Sequence, residues 1–231
     1  MKSLMILFLL FLGLSIQAQD KSVAPVNPVA LKYKATHHGY LGPVKTVDQF
    51  EFDRQGRLVT ETGDSPKTFK YLKDAILVEQ FGQVFTYKLN EKNQITGYTV
   101  ASSDDTGSYT YDDNGNLIEE ITTSDGDISR LTYTYDDQNR LISTTDWQDD
   151  QAYTTNYSYN GTPENLMIRQ TREFDRTATV DFVYNNGVMV NYIFMGADNY
   201  EDVVLDDYGN IISFYSPAYD TTQEYVITYY Q

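Results

Sequence analysis

The sequence has no cysteine, one tryptophan, two histidines and no lysine after Lys92. The first absence excludes disulfides, thiolate metal sites, a cysteine nucleophile and a cysteine-linked lipid anchor. Basic side chains are scarce throughout, 17 Lys and Arg against 33 Asp and Glu, for a formal charge of −16. That balance excludes nucleic acid and anionic membrane surfaces as partners. Residues 93–231 carry only five arginines, Arg130, Arg140, Arg169, Arg172 and Arg176, against 24 acids. No later apolar run approaches membrane-spanning length, and no segment keeps a helical period for a useful distance.

Aromatics, by contrast, are abundant: 21 Tyr and 11 Phe in 231 residues. A disordered acidic chain would be poor in them, and this length can bury a real core. Residues 1–18 read as a secretory signal, with Lys2 as the charged start, an apolar stretch from Leu4 to Ile16, and Ala18 before the cleavage point. The mature chain is then exported, to the periplasm, the cell surface or the exterior, without a membrane span. Residues 19–46 hold Pro25, Pro28 and Pro43, half of all prolines, and read as an extended leader.

From residue 47 to 231 the chain repeats itself. Tyr109-Thr-Tyr-Asp-Asp-Asn-Gly-Asn-Leu-Ile118 returns 24 residues later as Tyr133-Thr-Tyr-Asp-Asp-Gln-Asn-Arg-Leu-Ile142. Related copies start at Phe50, Phe69, Phe85, Tyr157, Phe182 and Val203, and Tyr225-Val-Ile-Thr-Tyr229 is a final strand. Alternating aromatics place Tyr109 and Tyr111 on one face of a strand. The following Asp bonds its own turn, and the Gly or Asn beyond it accepts a left-handed backbone. Each unit is therefore one β-hairpin with its connection. Simple alternation puts Leu117 and Ile121 with the aromatics, and Glu120, Thr122, Thr132 and Thr134 on the solvated face. The fold class is all-β: an antiparallel meander of about 24-residue hairpin repeats. Its single sheet must roll or fold to cover the aromatic face.

The unit Y-x-Y-D-x-x-G-x-L resembles the YD, or Rhs-type, repeat of secreted bacterial proteins, most closely at 109–118 and 133–142 and then at Phe50–Leu58. The resemblance implies hairpins stacked in one spiralling sheet. In large members such sheets form shells around a toxic cargo. This sequence is too short for that, and shows neither a cargo domain nor an Asp-Pro self-cleavage segment. It looks more like the small exported members, and the resemblance supplies a fold without catalytic residues.

Candidate chemistry is sparse. Gly63-Asp64-Ser65 matches the nucleophile block of GDSL-type hydrolases, but the repeat needs a turn there, and the only histidines, His37 and His38, lie upstream. Adjacent on an extended leader, those two point apart and rarely share a metal; solvation is the simpler reading. The acidic pairs Asp112-Asp113 and Asp136-Asp137 could supply oxygens for weak Ca2+ binding, the one cofactor considered, although their spacing departs from a calcium loop and the first Asp has a turn to cap. Spaced carboxylates could also serve glycoside hydrolysis, but the repeat explains them better. Trp147, beside Asp149 and Asp150 at a hairpin end, could stack on a sugar or anchor a protein, or plug the core. The expectation is a non-enzymatic exported binding or scaffold protein whose acidic 93–231 face meets an envelope protein or polysaccharide. The alternatives are a carbohydrate-binding module and an accessory of a toxin system.

Overall fold

The computed structural model describes residues 27–148, 151–161, 166–173, 177–185, 188–194 and 197–231. The signal at 1–18 and the acids Asp149 and Asp150 lie outside them. The first strands are β1 (Val44–Val47), β2 (Phe50–Phe52), β3 (Leu58–Glu61), β4 (Lys67–Tyr71), β5 (Ala75–Gln80), β6 (Gln83–Leu89) and β7 (Ile95–Val100). Next come β8 (Thr106–Tyr111), β9 (Leu117–Ser124), β10 (Asp127–Tyr135), β11 (Leu141–Gln148), β12 (Gln151–Tyr159) and β13 (Met167–Glu173). The chain continues through β14 (Thr177–Asn185), β15 (Val188–Phe194), β16 (Ala197–Asp198) and β17 (Glu201–Leu205). It ends with β18 (Ile211–Ser216), β19 (Thr221–Glu224) and β20 (Ile227–Tyr229).

Every pairing is antiparallel, and β1 to β16 pair in chain order. Strand β20 returns to pair with β1, making 17 strands, while β17 to β19 form a sheet of three. No pairing among the described residues joins β16 to β20, so the sheet is an open roll rather than a closed barrel. The all-β meander expected from the repeat is what forms.

The turns explain the regularity. In Asp112–Asn116 the Asp112 amide donates to the Asn116 carbonyl, and the Gly115 amide donates back to the Asp112 carbonyl, at 2.9 and 3.0 Å. Gly115 takes φ +88°, and Asn139, at the same place one repeat on, takes +60°. The Asp side chain caps the turn: Oδ1 of Asp136 accepts from the amides of Gln138 and Arg140 at 3.0 and 2.9 Å. Asp53, Asn90 and Asp206 repeat the pattern. The turns at Asp53, Asn90, Asp112 and Asp136 lie at one end of the roll, because an antiparallel meander alternates ends, while Asp206 turns between β17 and β18 of the smaller sheet.

Each Asp turn also inserts a β-bulge, and this corrects the facing read from alternation. Leu117 opposes Tyr111, but the register shifts, so Glu120 opposes Tyr109 and Ile121 opposes Ser108. Opposed residues share a face. Glu120 therefore points inward with the tyrosines and Ile121 points out. The same shift recurs in the pairs β2–β3, β6–β7, β10–β11, β12–β13 and β14–β15.

Beside the bulge, the ladder to the next strand stops short. The β9–β10 pairing ends at Glu119 and Thr132, leaving the Leu117 carbonyl beyond it. The Tyr135 hydroxyl donates to that carbonyl at 2.7 Å. Tyr71, Tyr111 and Tyr159 do the same for Leu58, Ile95 and Leu141, each at 2.7 Å. The second aromatic of the repeat thus replaces a missing ladder bond, since a buried carbonyl without a donor is costly.

The buried apolar cluster lies entirely between Ala35 and Leu117, around Phe52, Leu58, Ile76 and Val47. Each such Phe or Leu side chain contributes about 1.5–3 kcal/mol by leaving water. The leader belongs to this core. Residues 35–38 form a 3-10 helix, and the Ala35 amide donates to the Gly56 carbonyl at 2.8 Å. The solvated leader expected from the sequence is therefore corrected. His38 packs on Phe50 at 4.7 Å between ring centroids, and His37 meets Tyr33 edge-on at 5.1 Å.

Candidate functional site

The roll surrounds a partly open chamber of about 660 Å³, within the usual range for small-molecule sites. The leader forms its floor. At one side of the Asp-turn end, Asn27 Nδ2 donates to Asn116 Oδ1 and the Asn139 carbonyl at 2.8 and 3.1 Å. Further along, the Leu58 amide donates to the Tyr33 carbonyl at 2.8 Å. Beyond that, Asn210 Oδ1 accepts from the Leu41 amide at 2.7 Å, and Asn210 Nδ2 donates back to the Leu41 carbonyl at 3.0 Å. Residues 27–41 thus cross that end of the roll, with Lys32, His37 and His38 facing the chamber.

The two side walls differ. Phe50, Phe69, Val78 and Phe85, from β2, β4, β5 and β6, make a largely apolar wall, with Gln80 and Tyr87 beside them. Glu120, Thr144, Asp146, Thr155, Gln170 and Arg172, from β9 to β13, make a more polar one, with Leu131, Leu141 and three tyrosines between them. The bulges aim them there: Thr144 opposes Tyr133, and Gln170 opposes Tyr157, as Glu120 opposes Tyr109. Thr155 and Gln170 are buried at 3% and 4% exposure, which sets this wall apart from an ordinary core.

The polar groups engage one another. The Tyr133 hydroxyl donates to Glu120 Oε2 at 3.3 Å, and the hydroxyls of Thr144 and Tyr157 lie 3.3 Å apart. Arg172 Nη2 stands 3.6 Å from Asp146 Oδ2, an ion pair just beyond hydrogen-bond length. Lys67 donates to Glu61 at 2.8 Å, where β3 and β4 reach the end opposite the leader. Burial raises the pKa of Glu120 against the Tyr133 hydrogen bond, and lowers that of Lys32. Burial, helped by Lys34 and His38, takes His37 down to about 4; His38 falls to about 4 for the same first reason. Both rings are therefore neutral at pH 7.

The residues singled out from sequence lie elsewhere. Trp147 is 40% exposed and shares the outer face with Arg130, whose guanidinium stands 5.8 Å from its ring centre. The chamber takes its neighbour Asp146 instead. Asp113 and Asp137 are exposed at their turns. Asp112 and Asp136 spend both oxygens locally, the latter accepting from Arg140 Nε at 2.6 Å. Burial alone would raise the Asp136 carboxyl, but hydrogen bonds from Arg140 and Gln138 outweigh it and hold it below the usual range. Among the described residues, no group of three or more His, Asp or Glu is arranged to hold a metal. Gly63, Asp64 and Ser65 are exposed in the turn between β3 and β4.

Sequence reasoning missed the chamber residues because it assigned faces by simple alternation. One signal was available: Asn116 and Asn210 stand where Arg57 and Arg140 pair with their turn aspartates. At those two turns the shorter amide side chain bonds its turn aspartate and holds the leader as well.

This architecture defines a β-hairpin repeat scaffold with an internal chamber. Residues 111–151 match the model of the RHS repeat, so the chain carries the YD/Rhs-type repeat that its residues resemble. No curated protein matches the chain. Among solved structures, a porin-like protein from Bacteroides uniformis is similar at 15% identity, covering 78% of this chain and 89% of its own, with a TM-score of 0.49. The Photorhabdus luminescens Tc holotoxin pore is similar at 15% identity over 71% of this chain, with a TM-score of 0.40. A TcdB2-TccC3 structure without its hypervariable C-terminal region matches at 14% identity over 72%, with a TM-score of 0.40. This chain spans 12% of the length of each of the last two.

Proposed function

We propose that this is an exported, non-enzymatic binding protein, an RHS-repeat scaffold whose working site is the chamber. One observation carries the reading: inward positions of β9 to β13 hold Glu, Asp, Gln, Thr and Arg where a purely structural roll needs apolar side chains. Buried polar groups stabilise a fold less than apolar ones of the same size even when they bond one another, as Glu120 and Tyr133 do, so their presence favours a role beyond packing. The sequence of residues 1–18 supports export. No cofactor is assigned.

Native mass spectrometry of the mature chain, incubated with envelope extract, tests this. One small molecule should remain bound per chain, unaltered on release, and should be lost when Thr144→Phe fills the chamber. An empty protein, or an adduct that survives Thr144→Phe, would contradict it.

A second reading uses the acidic exterior. Arg130, Arg140, Arg169 and Arg172 each already face an acid, so the excess carboxylates of 93–231 remain to meet a basic partner. A salt-sensitive partner captured from envelope extract, and lost on charge reversal of that face, is the expected result. Capture that is indifferent to charge reversal would remove the reading.

A further inference from the structure

Among the described residues, the charged groups that line the chamber are already engaged or disfavour their charge. Lys67 donates to Glu61 at 2.8 Å, and Arg172 pairs with Asp146. Glu120 accepts from the Tyr133 hydroxyl, and burial raises its pKa. Burial lowers that of Lys32 and, against the pull of Asp146, that of Arg172. Nδ1 of His37 accepts from the Tyr33 amide at 3.3 Å, a bond that only a neutral imidazole can receive. A carboxylate or an ammonium entering the chamber would have to displace a pair already formed, in surroundings that penalise charge. We infer, on the reading that the chamber is the working site, that it holds an uncharged aromatic compound of two or three fused rings bearing one or two hydrogen-bonding groups.

Strand register lays out a place for the rings. Phe69 opposes Val78 and Val78 opposes Phe85, one row across β4, β5 and β6, and Tyr87 follows two residues after Phe85 on the same face. Phe85 and Tyr87 are half-buried, so part of each ring is open to the chamber. An aromatic ligand packs on such rings, offset or edge to face, with an attraction beyond the area it covers.

The hydrogen-bonding groups of the ligand have partners on the other wall. Tyr133 opposes Thr144 and Thr144 opposes Thr155, while the Tyr157 hydroxyl lies 3.3 Å from that of Thr144. These hydroxyls, and the amides of Gln80 and Gln170, both donate and accept without carrying charge. A ring hydroxyl or a ring carbonyl therefore fits them in either sense. A molecule with hydroxyls on every edge would set some of them against the row of Phe69, Val78 and Phe85. The volume, about 660 Å³, is ample for two or three fused rings.

Calorimetry at neutral pH with four probes of nearly one size decides the matter: naphthol, decahydronaphthol, naphthoate and naphthylmethylammonium, all substituted at the same ring position. Naphthol should bind once per mature chain, at least about tenfold tighter than either ion and about fivefold tighter than its saturated analogue. These comparisons use the unaltered protein and so stand even if a chamber variant folds poorly. Thr144→Phe, which fills the chamber, should abolish the binding, while Trp147→Ala on the outer face leaves it unchanged. An ion or the saturated ring bound as tightly as naphthol would overturn the inference, though loss of that binding in Thr144→Phe would leave the chamber as the site. Failure of naphthol to bind would overturn it too. If native mass spectrometry then finds no molecule retained from extract, the reading beneath the inference falls as well.

Discussion

Strands before Leu117 and strands after it follow one repeat and one register, yet they fill the roll in opposite ways. One buried apolar cluster runs from Ala35 in the leader to Leu117 at the start of β9, whereas the second half buries Leu141, Met167, Val180 and Phe214 singly between polar positions. In the second half, the inward positions of β9 to β13 carry Glu120, Thr144, Asp146, Gln170 and Arg172 among leucines and tyrosines. The turns and the Tyr71 and Tyr135 hydroxyl bonds are the same in both. Backbone geometry is thus set by a handful of repeated residues, and the remaining inward positions are free to hold either a core or a site.

Several substitutions would break or sharpen that contrast. The largest loss belongs to the apolar half: Leu58, 0% exposed, should cost about 3–5 kcal/mol as Leu58→Ala, lowering Tm by about 10 °C. Its counterpart Gln170→Leu should stay within about 1 kcal/mol of the native chain in the same urea titration.

Acid should strike the same half through the leader. His37 and His38 titrate near 4 in the fold and near 6.5 when unfolded, so the unfolded chain takes up protons first. Stability is complete above about pH 6.5 and falls as the pH drops toward 4, by about 2 kcal/mol per histidine at pH 5. Replacing both with glutamine should flatten that slope; a slope that persists would remove the histidines as its cause.

Smaller effects test the shared frame. Asp136→Ala removes the turn cap and the Arg140 pair, and should cost about 1–2 kcal/mol by thermal denaturation. Tyr135→Phe, which loses only the bond to the Leu117 carbonyl, should cost about 1 kcal/mol, and Tyr71→Phe a similar amount in the other half. Trp147→Ala on the outer face should fall within about 0.5 kcal/mol of native.

Strand content, hairpin period and turn chemistry were all legible in the sequence, because each follows from local residue pairs. Asp136 with Asn139 declares a turn wherever it occurs. Facing was not legible. One extra residue at each bulge reverses the parity of everything after it, so Glu120 seemed solvated and Ile121 seemed buried. The leader was misread for a related reason: its contacts run to Gly56, Asn116 and Asn210, far along the chain, and no local pattern announces them.

The division of labour between the halves is tested most directly by comparing Tm in Asp146→Leu/Arg172→Leu with Tm in Leu58→Ala. Exchanging the ion pair of the polar wall for apolar side chains should leave Tm unchanged or raise it, because that wall does not hold the fold together. A fall as deep as that of Leu58→Ala would show the polar wall to be structural, and would contradict the account.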